Sequence, residues 1–348
     1  MTFFMLQLKK VFESEEYSLK KIASIILVIC IALSFVSVFA FDDMPDDWST
    51  TALKHAVANG LLSGYDNKLM PKDKLTRAQM ATILVRALGA TELGDISSFT
   101  DVKKDAWYHD AMAISYKMGI FRGDGAGKLN PDAPITRQEA FVVLSRAFSL
   151  SASTTSGISK FKDGGEVAAW AKEGIEALIV SGYVAGSNGK INPNSHITRA
   201  EFAQVMYNLV KTYANKTEDI PTNGEIHGNV IVRGSEVSKL KGITINGDLI
   251  IGEGVSSKLS LTDVIVNGRI VIRAKGNFSF DGEAKELILT SENSDILISA
   301  DSTVAKVTIV SSTSSYEVLS GTGTTPSKPV SPKPVNPDPE EDIWTNFQ

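Results

Sequence analysis

The pentapeptide Leu75-Thr76-Arg77-Ala78-Gln79 occurs twice more in closely similar form, as Ile135-Thr136-Arg137-Gln138-Glu139 and as Ile197-Thr198-Arg199-Ala200-Glu201. Steps of 60 and then 62 residues separate the three copies. A nearly fixed period of this size is typical of tandem repeats, in which each unit buries its apolar face against its neighbours. The repeat is therefore the unit from which the fold is built.

The match extends upstream of each pentapeptide with nearly constant spacing. Each unit opens on Phe-x-Asp and continues with a tryptophan, and a glycine follows 12 residues after that tryptophan. Apolar residues at helical spacing precede the glycine and follow the arginine, which predicts two helices joined by a loop in each unit. The aligned series are Phe41, Phe99 and Phe161; Asp43, Asp101 and Asp163; Trp48, Trp107 and Trp170; and Gly60, Gly119 and Gly182.

The residues of the pentapeptide have separable roles. Its threonine is predicted to be a helix N-cap, and the Gln or Glu three residues later completes a capping box; these pairs are Thr76 with Gln79, Thr136 with Glu139, and Thr198 with Glu201. The arginine comes at the first helical position, where the helix dipole does not favour a cation. One interpretation is that each arginine and the helix amides bind an anionic ligand. The alternative is an ion pair with the aspartate of a neighbouring unit.

Residues 41 to about 212 resemble three S-layer homology modules, on the strength of the Phe-x-Asp opening, the spaced tryptophan and glycine, the loop proline and the pentapeptide. The resemblance implies a pseudo-three-fold helical bundle. Its grooves would bind secondary cell-wall polysaccharide, an anionic polymer that often carries pyruvate ketals, and so hold the protein non-covalently on a Gram-positive type envelope. By position, the implied binding residues are Arg77, Arg137, Arg199, Asp43, Asp101, Asp163, Trp48, Trp107, Trp170, Gly64, Gly123 and Gly186.

Two features qualify this resemblance. A tryptophan that recurs at one repeat position is more often a core residue than a sugar platform, because large aromatics dominate the burial of small units. The three units also differ: Gln79 stands where the others have Glu, and the residues before the three groove glycines are Ser63, Arg122 and Ala185. The resemblance therefore does not imply three equal grooves.

The N-terminus has the pattern of an exported protein. Lys20 and Lys21 precede an apolar run at 22–39, and small residues precede a cleavage site after Ala40. Residues 1–40 are predicted to be a signal peptide, with an uncleaved membrane segment as the alternative and the only source of membrane contact. The single cysteine, Cys30, lies in this run, so the mature chain would have no thiol, and we predict no cofactor and no metal site.

The net charge of the whole chain is −5. Affinity for nucleic acid comes largely from many phosphate contacts made by Lys and Arg, so a chain with this acidic balance is a poor candidate for binding it. Anion binding is expected only locally, at placed arginines.

Past residue 223 the apolar pattern changes from helical spacing to alternation. The segments 228–232, 247–251 and 268–272 each begin with glycine and continue as short apolar strands, at steps of 19 and 21 residues. Coils of about 20 residues are typical of a parallel β-solenoid. We predict a small parallel right-handed β-helix of about five coils, with a β-sandwich as the alternative. Its exposed strand edges would favour self-association.

The whole chain is accordingly predicted to be an α+β multidomain protein. Its parts are a leader at 1–40, modules at 41–97, 98–157 and 158–214, a linker at 215–223, the β-solenoid at 224–321 and a Pro-rich disordered tail at 322–348. The tail is a spacer with few residues after it, so either its apolar tip docks or the sequence is part of a longer protein.

We predict a non-catalytic cell-surface protein. The solenoid carboxylates fall mainly at turns, where Asp serves turn geometry, and no catalytic residue is assigned. Two alternatives remain open at this point: an anchored polysaccharide-degrading enzyme, by analogy with other β-helices, and a surface scaffold that displays a partner.

Overall fold

The computed structural model describes residues 41–152 and 156–319. The predicted leader at 1–40 and the predicted tail at 322–348 lie outside these ranges. Among the described residues, no helix has the combination of length and apolar character that crossing a bilayer requires.

Six α-helices of the described chain form three helix–loop–helix units. They are α1 (Thr50–Ala58), α2 (Arg77–Leu88), α3 (His109–Lys117), α4 (Arg137–Ala147), α5 (Lys172–Val180) and α6 (Arg199–Leu209). The third unit reaches its first helix through three short 3-10 turns, at Ile158–Lys160, Gly164–Glu166 and Ala169–Ala171.

The three units close into a ring. The second helix of each unit packs on the first helix of the following unit, so α2 lies on α3, α4 on α5, and α6 on α1. At the centre, the amide of Leu75 donates to the carbonyl of Ile197, Ile135 donates to Leu75, and Ile197 donates to Ile135, at 2.9, 2.9 and 3.1 Å. All three side chains are fully buried. The predicted pseudo-three-fold arrangement is thus present. Its axis runs between the first residues of the three pentapeptides.

The second helices begin as their sequence pattern indicates. In each, the threonine side chain accepts from the amide three residues on, and the Gln or Glu side chain reaches back to the threonine amide. The first helices are followed by Gly60, Gly119 and Gly182, at φ of 66°, 69° and 76°. A side chain at any of these glycines would meet open space, so the left-handed backbone is what requires glycine there.

The C-terminal region is a single sheet of ten strands. They are β1 (Thr212–Lys216), β2 (Gly224–His227), β3 (Val230–Glu236), β4 (Lys239–Asn246), β5 (Leu249–Ile251), β6 (Lys258–Ile272), β7 (Gly276–Leu289), β8 (Ser294–Ile298), β9 (Thr303–Ile309) and β10 (Ser315–Val318). Every pairing between these strands is parallel, which confirms the β-solenoid and excludes the β-sandwich.

The solenoid winds through about six turns, one more than predicted. One face shows this clearly, because Thr212, Val230, Leu249, Ile270 and Leu287 each pair with the equivalent residue about one coil later. The first rung belongs to β1, which pairs with β3. The prediction of a linker at 215–223 and of a solenoid starting at 224 was therefore wrong: β1 continues almost directly from α6, and a 3-10 turn at Thr217–Asp219 follows it.

The solenoid lies directly on the helical bundle. Alternate residues on the face just described point into the interior of the solenoid. The residues between them point towards the helices and are buried in the same apolar core; they are Tyr213, Ile231, Ile250, Val271 and Ile288. Burial of such a row contributes roughly 1.5–3 kcal/mol for each fully covered aliphatic side chain. The two domains are thus joined by a continuous core, which the strand pattern alone did not predict.

Polar contacts reinforce this junction where the second helices end. Arg233 donates to the carbonyl of Arg86 in α2, Arg273 donates to that of Ala147 in α4, and Asn229 donates to that of Leu209 in α6, at 3.0, 3.3 and 2.8 Å. The last carbonyls of a helix have no partner within it and carry partial negative charge. Solenoid side chains therefore cap all three second helices.

Candidate functional site

Each repeat arginine reaches across to the loop of the following unit. The Nε atoms of Arg77, Arg137 and Arg199 donate to the carbonyls of Leu129, Ile191 and Leu69, at 2.8, 2.7 and 2.8 Å. All three arginines are largely buried, and this burial lowers the pKa of each. The same contact is thus made three times around the ring, and it ties neighbouring units together.

The helix amides beside these arginines are already engaged. The amides of Arg77 and Ala78 donate to the carbonyls of Ala133 and Pro131 in the next unit, at 3.0 and 2.8 Å. Equivalent bonds run from Arg137, Gln138, Arg199 and Ala200. The expectation that free amides would join the arginine in binding an anion was therefore wrong, because the neighbouring unit satisfies them.

The aspartate series holds the loops that receive the arginines. Asp43 accepts from the amides of Leu69 and Met70, at 2.6 and 2.7 Å, and Asp101 and Asp163 make the same pair of bonds in their own units. Leu69, whose amide donates to Asp43, also accepts from Arg199 through its carbonyl. The aspartate thus positions the carbonyl that receives an arginine.

The glycines Gly64, Gly123 and Gly186 make room for the opening phenylalanines. A side chain on Gly64 would come within 2.2 Å of the Phe41 ring, and one on Gly123 within 2.5 Å of Phe99. These glycines therefore shape the loop from inside the unit.

Two of the three repeat tryptophans are exposed and do not belong to the core. Trp48 and Trp107 are 60% and 67% exposed, so assigning them to the core was wrong. Trp170 is partly buried against the helical core. Exposed indoles on a repeat surface are available to stack on a ligand.

Three guanidinium groups gather between the first and second units. Arg77, Arg122 and Arg146 line a small cavity of about 20 Å³ together with Phe121, Glu139, Val142, Val143 and Trp170. We call this site groove 1. The Arg77 guanidinium lies 5.2 Å from the centroid of the Phe121 ring.

The charge of groove 1 is unbalanced. Its carboxylate, Glu139, accepts from the amide and hydroxyl of Thr136, at 2.7 and 2.8 Å, as part of a capping box. Burial, followed by the charges of Arg122 and Arg77, lowers the pKa of Arg146 to about 10. The guanidinium stays protonated at neutral pH, and the site has an excess of positive charge.

The other two grooves lack this arrangement. At the position of Arg122, the first unit has Ser63 and the third has Ala185. At the position of Arg146, nine residues after the repeat arginine, the first unit has Arg86 and the third has Asn208. In the groove that Arg137 borders, that arginine forms an ion pair with Glu201 at 3.0 Å. Groove 1 is thus the most cationic of the three.

No metal site accompanies these grooves. Across residues 41–152 and 156–319, no three His, Cys, Asp or Glu side chains come close enough to hold an ion together.

The model of a known protein family matches each of the three repeat units. The model of the S-layer homology domain matches residues 40–81, 98–141 and 160–203, one match for each structural unit. The chain contains three S-layer homology domains. Each match covers the opening Phe-x-Asp, the first helix, the loop and the start of the second helix.

Similar proteins include surface-layer proteins and enzymes. The chain is 37% identical over 169 residues to the Surface-layer 125 kDa protein of Lysinibacillus sphaericus, which is 47% of this chain and 14% of that protein. It is 29% identical over 184 residues to the S-layer protein sap of Bacillus anthracis, covering 52% and 22% of the two chains. Exoglucanase XynX of Acetivibrio thermocellus is 28% identical over 180 residues, covering 50% and 16%. The chain thus spans less than a quarter of the length of these relatives.

The S-layer homology domains and the surface-layer relatives indicate a location at the bacterial cell surface, in the S-layer of the envelope. Arg146 was not predicted as a site residue, and Arg122 was noted only as a difference between units. The ninth residue after the repeat arginine is Arg86, Arg146 or Asn208, so the sequence alone does not separate Arg146 from Arg86; in the structure Arg86 is exposed and Arg146 is half-buried.

Proposed function

We propose that the chain binds secondary cell-wall polysaccharide through its S-layer homology domains and is held non-covalently on the envelope in this way. Groove 1 carries the proposal. It combines three guanidinium groups, those of Arg77, Arg122 and Arg146, with Trp170 and one carboxylate, Glu139, whose charge acts on Arg77. A forked guanidinium suits a carboxylate or phosphate group, and an indole suits a sugar face.

The anionic group of the polymer is the part that groove 1 recognises. A pyruvate ketal would fit, because its carboxylate is compact and is attached to a sugar ring. Arg137, Arg199, the aspartates and the groove glycines support binding mainly by fixing the loops, since their observed bonds join neighbouring units or hold the loop backbone. Trp48 and Trp107 are exposed and available to stack on a sugar.

The test is a pull-down of the full chain with purified cell walls of its own bacterium, before and after extraction of the secondary polymer. The variants Arg122→Ser and Arg146→Asn replace each arginine with the residue that a sister unit has, and Arg86→Asn is the matched control at the equivalent, exposed position of the first unit. Losing one charge-assisted hydrogen bond should weaken binding about tenfold or more.

We expect the two groove 1 variants to lose wall binding and the Arg86→Asn control to keep it. Walls that carry the polymer without its ketal should bind weakly if the ketal is the recognised group. Equal retention on stripped and intact walls would contradict the proposal.

We also propose that the β-solenoid is presented at the cell surface without catalysing a reaction. Two of its partly buried carboxylates are engaged: Asp248 binds Arg269 at 2.6 Å, and Glu253 binds Arg273 at 2.8 Å. The enzyme alternative gains little from Exoglucanase XynX, because that match extends over only 16% of the relative. Incubation of the full chain with a broad panel of polysaccharides should release no product, and any specific product would favour an enzyme.

Self-association through the last coil is part of the same proposal. Leu319, at the end of the described solenoid, is 45% exposed. Sedimentation velocity over a range of protein concentrations should show a growing share of oligomer. A monomer at every concentration would contradict this part.

A further inference from the structure

A large cleft separates the helical bundle from the outer coils of the solenoid. Its volume is about 1160 Å³. The roof is formed by the loop after α2 and by the C-terminal ends of α3, α4 and α5, and the floor by the solenoid face that docks on the bundle. We call it the interdomain cleft.

The cleft exists because the bundle covers only part of that face. Ile288 is 8% exposed and belongs to the shared core, whereas Val310, directly after β9 on the next rung, is 55% exposed. The bundle therefore stops short of the last coil, and the two surfaces diverge there.

The lining of the cleft is mixed, with polar surface slightly exceeding apolar surface. Hydroxyl groups come from both walls, including Ser149, Ser181 and Tyr183 above and Thr290 and Thr308 below. Ligand pockets for apolar molecules are lined predominantly by hydrophobic side chains, so this lining favours a hydrophilic, polyhydroxylated ligand. Thr290 and Thr308 already donate to the carbonyl of Ile272 and to Glu286, and their hydroxyl oxygens can still accept from sugar hydroxyls.

Most charges of the cleft are already paired with each other. The ion pairs are Lys275 and Lys117 with Glu92, Arg269 with Asp248, Arg273 with Glu253, and Lys306 with Glu286. Arg146 differs from these cations. Its side chain makes no hydrogen bond or ion pair with any residue that the structure describes.

Arg146 also lines both cavities, groove 1 and the interdomain cleft. Groove 1, at about 20 Å³, has room for about one water molecule and is too small to enclose a sugar ring. A polymer that places an anionic group there must continue past it. Arg146 is the side chain that a strand leaving groove 1 in the direction of the solenoid would meet.

We propose that the polysaccharide site extends from groove 1, past Arg146, into the interdomain cleft, so that the solenoid contributes its outer coils to binding a second stretch of the same polymer. This inference rests on the proposed function. It assigns the solenoid a binding role, with an anionic polysaccharide strand as the ligand.

The test compares short and long fragments of the wall polymer, released from purified walls and separated by size, in calorimetric titrations of the full chain. Val310→Trp would obstruct part of the cleft from an exposed position and leave groove 1 unchanged. Leu297→Trp is the matched control, because Leu297 is also an exposed solenoid residue, lies on a different strand and does not line the cleft.

We expect the unchanged chain to bind long fragments at least tenfold more tightly than short ones. Val310→Trp should abolish this gain and keep the affinity for short fragments, and Leu297→Trp should keep both. Arg146→Met should weaken fragments of either length. Circular dichroism of each variant verifies that it is folded.

The outcomes separate the two proposals. A length-dependent gain that persists in Val310→Trp, or no gain in the unchanged chain, overturns the extended site while groove binding stands. Failure of fragments of every length to bind the unchanged chain overturns the proposed function, and the extended site with it.

Discussion

Replacing Arg273 with methionine should destabilise the helical and solenoid domains together. The Arg273 side chain is only 6% exposed, and its Nε donates to Glu253 Oε1 at 2.8 Å while Nη1 donates to the carbonyl of Ala147 at 3.3 Å. The second oxygen of Glu253 is buried without a hydrogen-bond partner among the described residues. The carboxylate therefore depends on this one cation.

The magnitude follows from what the substitution leaves behind. Removing one partner of a buried ion pair costs about 3–5 kcal/mol, because the other charge remains desolvated and uncompensated. The end of α4 also loses a cation, worth about 0.3–1 kcal/mol at a helix C-terminus. We expect the free energy of unfolding of Arg273→Met to fall by about 4 kcal/mol.

The assay is denaturant unfolding followed by tryptophan fluorescence, since Trp48, Trp107 and Trp170 lie in the helical units. The double variant Arg273→Met/Glu253→Met removes both charges and should recover all but about 1 kcal/mol. Lys306→Met breaks an exposed pair of the same face, with Lys306 65% exposed, and should cost under about 1 kcal/mol. A loss in Arg273→Met no larger than that control, or no recovery in the double variant, would refute the reasoning.

Three further predictions concern single positions. Gly64→Ala should destabilise the first unit by more than 2 kcal/mol, about the cost of overpacking against Phe41, whereas Gly60→Ala, with open space around it, should cost only about 1 kcal/mol; thermal unfolding of both variants measures the difference. Thr136→Ala should cost about 1 kcal/mol of unfolding free energy by removing a helix cap, and Thr136→Ser should restore it. Burial lowers the pKa of His55 below 6.5, so the folded state binds a proton less readily than the unfolded chain and loses stability as the pH falls below 6.5; His55→Gln should remove that part of the pH dependence in urea titrations.

Much of the fold is encoded locally. The capping boxes, the left-handed glycines after the first helices and the two apolar periodicities depend on residues a few positions apart, so the helices and the parallel coils could be predicted from the sequence. The repeat also implies that the units pack on one another, because each has an unburied apolar stripe; their closure into a ring was implied only by the resemblance to S-layer homology modules.

The exposure of the tryptophans could not be obtained in the same way. Trp48 and Trp170 occupy the same repeat position, yet one is 60% exposed and the other is partly buried. Burial depends on what lies opposite a side chain, and that is a property of the neighbouring unit.

What the sequence by itself determined was the repeat, the helix starts and the residue types of the grooves. Only the tertiary structure decided that Arg77, Arg122 and Arg146 meet in one groove, that the repeat arginines and helix amides bind loop carbonyls, and that the solenoid lies on the bundle and forms a cleft with it. The physical reason is that caps and periodicity are short-range properties, whereas the meeting of distant charges and the fit of two apolar surfaces depend on how whole units pack.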